Sequence, residues 1–82
     1  MYDTLFVIFR YDESDEFVEP VGVWDYMQIE ANTEGYYQEL NRLRKEHGEI
    51  RVVKFRTTYS KIEAMFRPQL IEVSEGTEVK ID

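Results

Sequence analysis

The sequence contains no cysteine and only one histidine, His47. This composition excludes a disulfide framework and leaves a structural zinc site without its usual thiolate and imidazole ligands. Packing alone must therefore offset the conformational entropy that the chain loses on folding. His47 precedes Gly48 at the end of a predicted helix, where an imidazolium ring interacts favourably with the helix dipole. We interpret this histidine as structural rather than catalytic.

Long apolar runs are also missing. The longest one near the start, Leu5–Phe9, is far shorter than the roughly 18 residues that cross a bilayer, and it lacks the basic flank of a signal peptide. We therefore expect a cytoplasmic protein that does not span a membrane. A length of 82 residues accommodates one hydrophobic core, which predicts a single domain over residues 1–82. The sequence leaves open whether that domain is a monomer or a homodimer.

No catalytic or cofactor motif is present. The glycines, at positions 22, 35, 48 and 76, are too scattered to form a phosphate-binding loop. The acidic residues 12–16 lack the alternating oxygen ligands and the central glycine of a calcium-binding EF-hand loop. The serines lie in turn-like contexts that explain them without a nucleophilic role. We predict that the chain is not an enzyme and that it binds no metal and no cofactor.

The sequence is instead rich in aromatic residues and unevenly charged. Five Phe, six Tyr and one Trp supply enough large side chains for the core of a small domain. The net charge is −7, but the segment 42–67 holds eight Lys and Arg against three Glu and carries +5, whereas the remainder holds two bases and fourteen acids and carries −12. The chain is thus basic in its third quarter and acidic at both ends.

Hydrophobic periodicity predicts an α+β fold. We expect a small antiparallel or partly mixed sheet of about four or five strands packed against one main α-helix, with room for a short second helix. Apolar residues on both faces of residues 2–11 predict a central strand, and Pro20 restricts the following strand to an edge or a bend. The strand predictions are a hairpin over 2–24, a strand over 50–59 and a terminal hairpin of 70–73 with 78–81. Residues 25–31 fit a strand continuation or a short helical turn equally well, and we favour the strand.

The helix prediction depends on capping residues and apolar spacing. Asn32 or Thr33 can cap a helix that ends before Gly48, and apolar residues recur at the three- and four-residue intervals of an amphipathic helix. Ser60 and Glu63 have the spacing of a capping box, which predicts one or two helical turns before Pro68.

Five carboxylates form the most conspicuous cluster and carry our main functional hypothesis. They are Asp12, Glu13, Asp15, Glu16 and Glu19, with no basic residue among them. Burial of an unpaired carboxylate costs several kcal/mol, so these side chains should remain in water. They are then either without a function, as solvated groups or as groups neutralised by the basic segment, or available to a basic partner. We hypothesise that the acidic hairpin and the neighbouring Trp24, Asp25 and Tyr26 dock on a basic protein surface, as in an inhibitor that occupies a nucleic-acid channel.

Two other functions remain open. The basic segment supplies a candidate nucleic-acid site consisting of Arg42, Arg44, Lys45, Lys54, Arg56 and Tyr59. Cationic and aromatic side chains together bind single strands, although the acidic remainder of the chain would repel a polyanion. A structural subunit that assembles through its sheet edges is the third hypothesis.

Overall fold

The structure, a computed structural model, describes residues 3–58, 63, 66 and 73–80. The elements in chain order are strand β1 (Asp3–Asp12), strand β2 (Glu16–Asp25), helix α1 (Tyr26–Ala31), helix α2 (Thr33–His47), strand β3 (Ile50–Thr57), a 3₁₀ turn (Val73–Glu75) and strand β4 (Thr77–Val79). The four strands form an antiparallel sheet in the order β2-β1-β3-β4. The predicted α+β class is confirmed.

Strand β1 is central, as its two apolar faces predicted. It pairs with β2 on one side and with β3 on the other. Ile8, on one face, belongs to a helix-side core of Ile8, Tyr36, Leu40, Leu43, Ile50 and Val52. The alternate residues of β1 belong to an opposite core of Leu5, Val7, Phe9, Val23, Val53 and Phe55. Strand β1 therefore contributes buried residues to both faces of the sheet.

Strand β2 lies at an edge of the described sheet, in agreement with the restriction that Pro20 imposes. Its pairing with β1 passes from Gly22 opposite Ile8 to Pro20 opposite Phe9, so that Val21 is an extra residue in the ladder. A second irregularity lies between Arg10 and Tyr11. Bulges of this kind twist an edge strand and interrupt the regular ladder that another strand would need for pairing.

The predicted strand continuation over 25–31 is wrong. Tyr26–Ala31 is helix α1, and Asp25 caps it: the Asp25 carboxylate accepts a hydrogen bond of 2.7 Å from the Gln28 backbone N–H, while the Gln28 side chain accepts one of 3.2 Å from the Asp25 N–H. The capping box provides acceptors for the backbone N–H groups of Asp25 and Gln28, which in a strand would need acceptors on a neighbouring strand. Local capping therefore outweighs the strand preference of Tyr26 and Ile29.

Helix α2 begins and ends where the sequence predicted. The Asn32 side chain accepts a hydrogen bond of 3.0 Å from the Gly35 N–H, and Gly48 follows the last turn with a φ of 83°. That positive φ favours glycine, since a Cβ would be strained there. Tyr36, Leu40 and Leu43 face the sheet and are the buried residues of the helix.

Burial of Tyr36 leads to a prediction about alkaline pH. Its side chain is 7% exposed, and burial, together with a smaller effect of Tyr37, raises the pKa of Tyr36 above its ordinary value of about 10. The unfolded chain releases this proton at a lower pH than the folded protein does, so stability should fall as pH rises above about 10, by at most about 1.4 kcal/mol per pH unit. Urea unfolding between pH 8 and pH 11, roughly the window of tyrosine titration, measures this slope.

The Tyr36→Phe variant should flatten that alkaline slope. Tyr26→Phe is the comparison, because a hydrogen bond to Glu30 raises the pKa of Tyr26 as well, but at an exposed position where solvent screens the interaction. The Tyr26 variant should therefore retain most of the slope. Equal slopes in the wild type and Tyr36→Phe would contradict this account of Tyr36.

Strand β3 is confirmed over Ile50–Thr57, but the terminal hairpin is partly wrong. Val73, predicted to end a strand, lies in the 3₁₀ turn, and β4 pairs with β3, where Glu78 is opposite Val53. Gly76 permits this approach, because a Cβ there would lie 2.3 Å from the Val53 side chain. The predicted strand residues 70–72 and most of the predicted short helix lie outside the described residues; Glu63 and Phe66 are helical. No helix in the described part of the chain combines the length and apolarity needed to span a membrane.

Candidate functional site: an acidic hairpin tip

The β1–β2 turn presents four exposed carboxylates, which we define as the acidic tip: Asp12, Glu13, Asp15 and Glu16. Among the described residues, none of these four has an ion-pair partner. The expectation that the carboxylates remain in water is therefore confirmed for the tip. Neutralisation by the basic segment, the alternative that the sequence left open, does not occur among the described residues.

Glu19 differs from the acidic tip. Its carboxylate pairs with the Arg10 guanidinium at 3.1 Å across the β1–β2 ladder. Although both side chains are partly exposed, this pairing offsets the charge that Glu19 would otherwise present. Unlike the acidic tip, Glu19 thus has a cationic partner, which lies on the adjacent strand and not beside it in sequence. Its predicted role in partner binding stays a prediction.

Hydrogen bonds hold the turn in one conformation. The Asp12 carboxylate accepts hydrogen bonds from the Ser14 hydroxyl at 2.5 Å and from the Ser14 backbone N–H at 2.8 Å. The hydrogen bond from the Ser14 hydroxyl has the largest effect, followed by that from the backbone N–H, and both lower the pKa of Asp12 below its ordinary value. The negative charge of Asp12 therefore persists to lower pH. Asp12 is also opposite Glu16 as the last pair of the hairpin. The hydrogen bonds to the Asp12 carboxylate thus come from within the turn itself.

Glu16 has a φ of 57°, in the left-handed region that favours glycine. A residue with this conformation after a tight turn is typical of three-residue hairpin loops. The left-handed conformation costs an L-residue about 1–2 kcal/mol in the folded state, and glycine avoids this cost. Glycine also has more conformational freedom in the unfolded chain, which lowers the gain in stability by about 0.5–1 kcal/mol. We predict that Glu16→Gly stabilises the protein by on the order of 0.5–1 kcal/mol in urea unfolding.

Glu13→Gly is the matched control for this prediction, because it removes a carboxylate of the same turn at a position without a positive φ. It should leave stability unchanged or lower it by up to about 1 kcal/mol. A destabilised Glu16→Gly protein would show that the side chain makes a favourable contact that outweighs the backbone conformation.

An aromatic cluster supports the base of the acidic tip. The rings of Tyr11 and Phe17 meet edge to face with centroids 5.4 Å apart, and Phe17 meets Phe9 of the opposite core at 5.6 Å. The Arg51 guanidinium lies 4.1 Å from the centroid of the Tyr11 ring. Tyr11 and Phe17 are half-buried, so each has both a packed and an accessible side. Sequence reasoning missed this pair, although a hairpin register places the two residues opposite each other.

The other residues of the predicted docking site lie at the far end of the hairpin. Trp24 and Asp25 pair with Phe6 and Leu5, whereas the acidic tip closes at Asp12 and Glu16. Trp24 lies eight positions beyond Glu16 along β2, roughly 26 Å at about 3.3 Å per residue. Asp25 is occupied as the α1 cap, Trp24 packs against Tyr36 with centroids 5.5 Å apart, and Tyr26 donates its hydroxyl to Glu30 at 2.9 Å. The structure therefore does not bring these residues to the tip.

The candidate nucleic-acid residues are likewise divided. Arg42, Arg44 and Lys45 lie on the last turns of α2, whereas Lys54 and Arg56 lie further along β3, opposite Phe6 and Thr4. Arg42 pairs with Glu39 and Glu46, which neutralises it. Tyr59 lies outside the described residues. The described members thus come from two different elements, and the nucleic-acid alternative stays a prediction.

Among the described residues, no group of three or more His, Cys, Asp or Glu side chains is arranged to hold a metal ion. No family model, curated protein or solved structure matches the chain.

Proposed function

We propose that this protein is a non-catalytic interaction module whose acidic tip docks on a basic surface of a partner protein, of the kind that otherwise binds nucleic acid. The observation that carries the proposal is the set of four exposed carboxylates without an ion-pair partner among the described residues. By comparison, Arg10, Arg42 and Arg51 each pair with carboxylates elsewhere. The tip thus retains a local negative potential that can steer a cationic surface toward it.

Order within the hairpin strengthens the proposal. The Ser14 hydrogen bonds to Asp12 and the packing of Phe17 on Phe9 favour this conformation of the turn without a partner. A pre-ordered loop loses less conformational entropy on binding than a disordered one does. Tyr11 and Phe17 add accessible aromatic surface beside the charges, and aromatic residues are enriched where interfaces gain most of their affinity.

The proposal commits to a protein partner rather than to nucleic acid. Phosphates carry the same sign of charge as the tip and would be repelled by it, whereas clustered Lys and Arg side chains on a protein would gain carboxylate contacts. A partner of this chemistry ordinarily binds a polyanion, so occupation of its surface by carboxylates would exclude that ligand. Regulation or inhibition of a nucleic-acid-binding protein is the consequence we propose.

Affinity capture tests the proposal with two variants of equal charge. The tip variant carries Asp12→Asn, Glu13→Gln, Asp15→Asn and Glu16→Gln, and the control variant carries Glu30→Gln, Glu34→Gln, Glu63→Gln and Glu75→Gln at exposed positions elsewhere. Both bring the net charge from −7 to −3. We expect the wild type and the control variant to retain the same protein from a lysate of the source organism, and the tip variant to lose it.

Nuclease treatment and salt complete the design. Capture should survive nuclease and weaken between about 0.05 and 0.5 M salt, because screening shortens the reach of exposed charges. Retention of the same protein by the tip variant would refute the docking proposal. Retention that disappears after nuclease treatment would favour nucleic acid as the partner instead.

A further inference from the structure

A second feature lies outside the acidic tip: a cleft of about 470 Å³ between the end of α2 and the strands β3 and β4. Gly48 and Ile50 contribute from the α2–β3 connection and the start of β3, and Val79 contributes from β4. Ile50 is 4% exposed, so the apolar part of the cleft is continuous with the helix-side core. The volume falls in the range of about 300–1,000 Å³ that small-molecule sites occupy.

The charged side chains of the cleft leave one positive charge in excess. Three cations and two carboxylates line it, namely Arg44, Arg51, Lys80, Glu49 and Glu78. Arg51 pairs with Glu78 at 2.8 Å and with Glu49 at 3.3 Å, so both carboxylates are engaged with one guanidinium. Arg44 and Lys80, by contrast, have no carboxylate partner among the described residues.

Unpaired cations are not confined to the cleft, because Lys45 and Lys54 also have no ion-pair partner among the described residues. Arg44 and Lys80 differ from them in lining the same cleft, although they are 36 residues apart in sequence. The pairing of β4 with β3 and the connection from α2 into β3 bring them to this shared cleft.

We propose that the cleft binds the oxyanion end of a small organic molecule, a phosphate or a carboxylate, between Arg44 and Lys80. A guanidinium presents a planar pair of N–H donors that matches either group, and an ammonium adds a compact second charge. Ile50 and Val79 provide apolar contact for the remainder of the ligand. Arg51 is held by Glu49, Glu78 and the Tyr11 ring and forms a fixed wall of the cleft.

NMR titration of the full chain with inorganic pyrophosphate and, separately, with succinate tests this inference at a constant ionic strength of about 0.1 M. We expect saturable shifts of the Gly48, Glu49 and Val79 amides with at least one probe. Tighter binding of pyrophosphate would assign a phosphate ligand, and tighter binding of succinate a carboxylate. Arg44→Gln and Lys80→Gln should each weaken that binding about tenfold, the scale of one charge-assisted hydrogen bond.

Lys45→Gln is the matched control, because Lys45 is exposed beside Arg44 on α2 but does not line the cleft. It should leave binding unchanged, and so should the tip variant, since the two sites use different residues. The inference is overturned if neither probe shifts these amides at concentrations up to roughly 10 mM, or if Lys45→Gln weakens binding as much as Arg44→Gln does.

Discussion

Leu40→Ala should cost about 2–5 kcal/mol of unfolding free energy, a large part of the total stability of a domain this small. Leu40 is 1% exposed and lies in the helix-side core between α2 and the sheet. Its truncation removes apolar contacts and leaves a cavity, and the chain has no disulfide to compensate. Urea unfolding followed by circular dichroism measures the loss.

Gln38→Ala is the control on the same helix, at an exposed position. Alanine has the higher helix propensity, so this variant should remain within about 0.5 kcal/mol of the wild type. Similar losses in the two variants would show that α2 does not pack as described, with Leu40 against the sheet.

Neutralising the acidic tip should slow association with the basic partner about tenfold or more at low salt, without a comparable loss of stability. The rate should fall because long-range attraction guides the encounter, and the tip supplies four charges to it. Stability should change little because the tip carboxylates have no cationic partners among the described residues and their removal breaks no salt bridge. Stopped-flow association and thermal unfolding measure the two effects.

The elements that the sequence predicted correctly are those with strong local signals. Apolar residues on both faces of β1 can be satisfied only in a central strand, and Asn32 and Gly48 define the ends of α2 through capping and a positive φ. These properties depend on adjacent residues, so the sequence contains the necessary information.

Helix α1 was the less favoured of two predictions for residues 25–31, because six residues are too few to establish a helical period. Its signal was the cap instead: Asp25 followed three residues later by Gln28, the spacing of a capping box. The strand preference of Tyr26 and Ile29 concealed that signal.

The candidate site was only partly predictable for a different reason. The turn and its exposed carboxylates follow from local composition, but the Arg10–Glu19 ion pair depends on the register of β1 and β2, and the cleft depends on the pairing of β4 with β3. The separation of Trp24 from the acidic tip could have been predicted, because Trp24 ends the predicted hairpin strand that begins at the tip. Contacts between elements distant in sequence were therefore the least accessible information.

The salt dependence of the association rate with the captured partner tests the docking account most directly. The wild type should associate fastest at about 0.05 M salt and slow steeply toward 0.5 M, whereas the tip variant should be slow and nearly insensitive to salt throughout. The control variant of equal net charge should follow the wild type. Identical salt profiles for the wild type and the tip variant would contradict the claim that these four carboxylates form the docking surface.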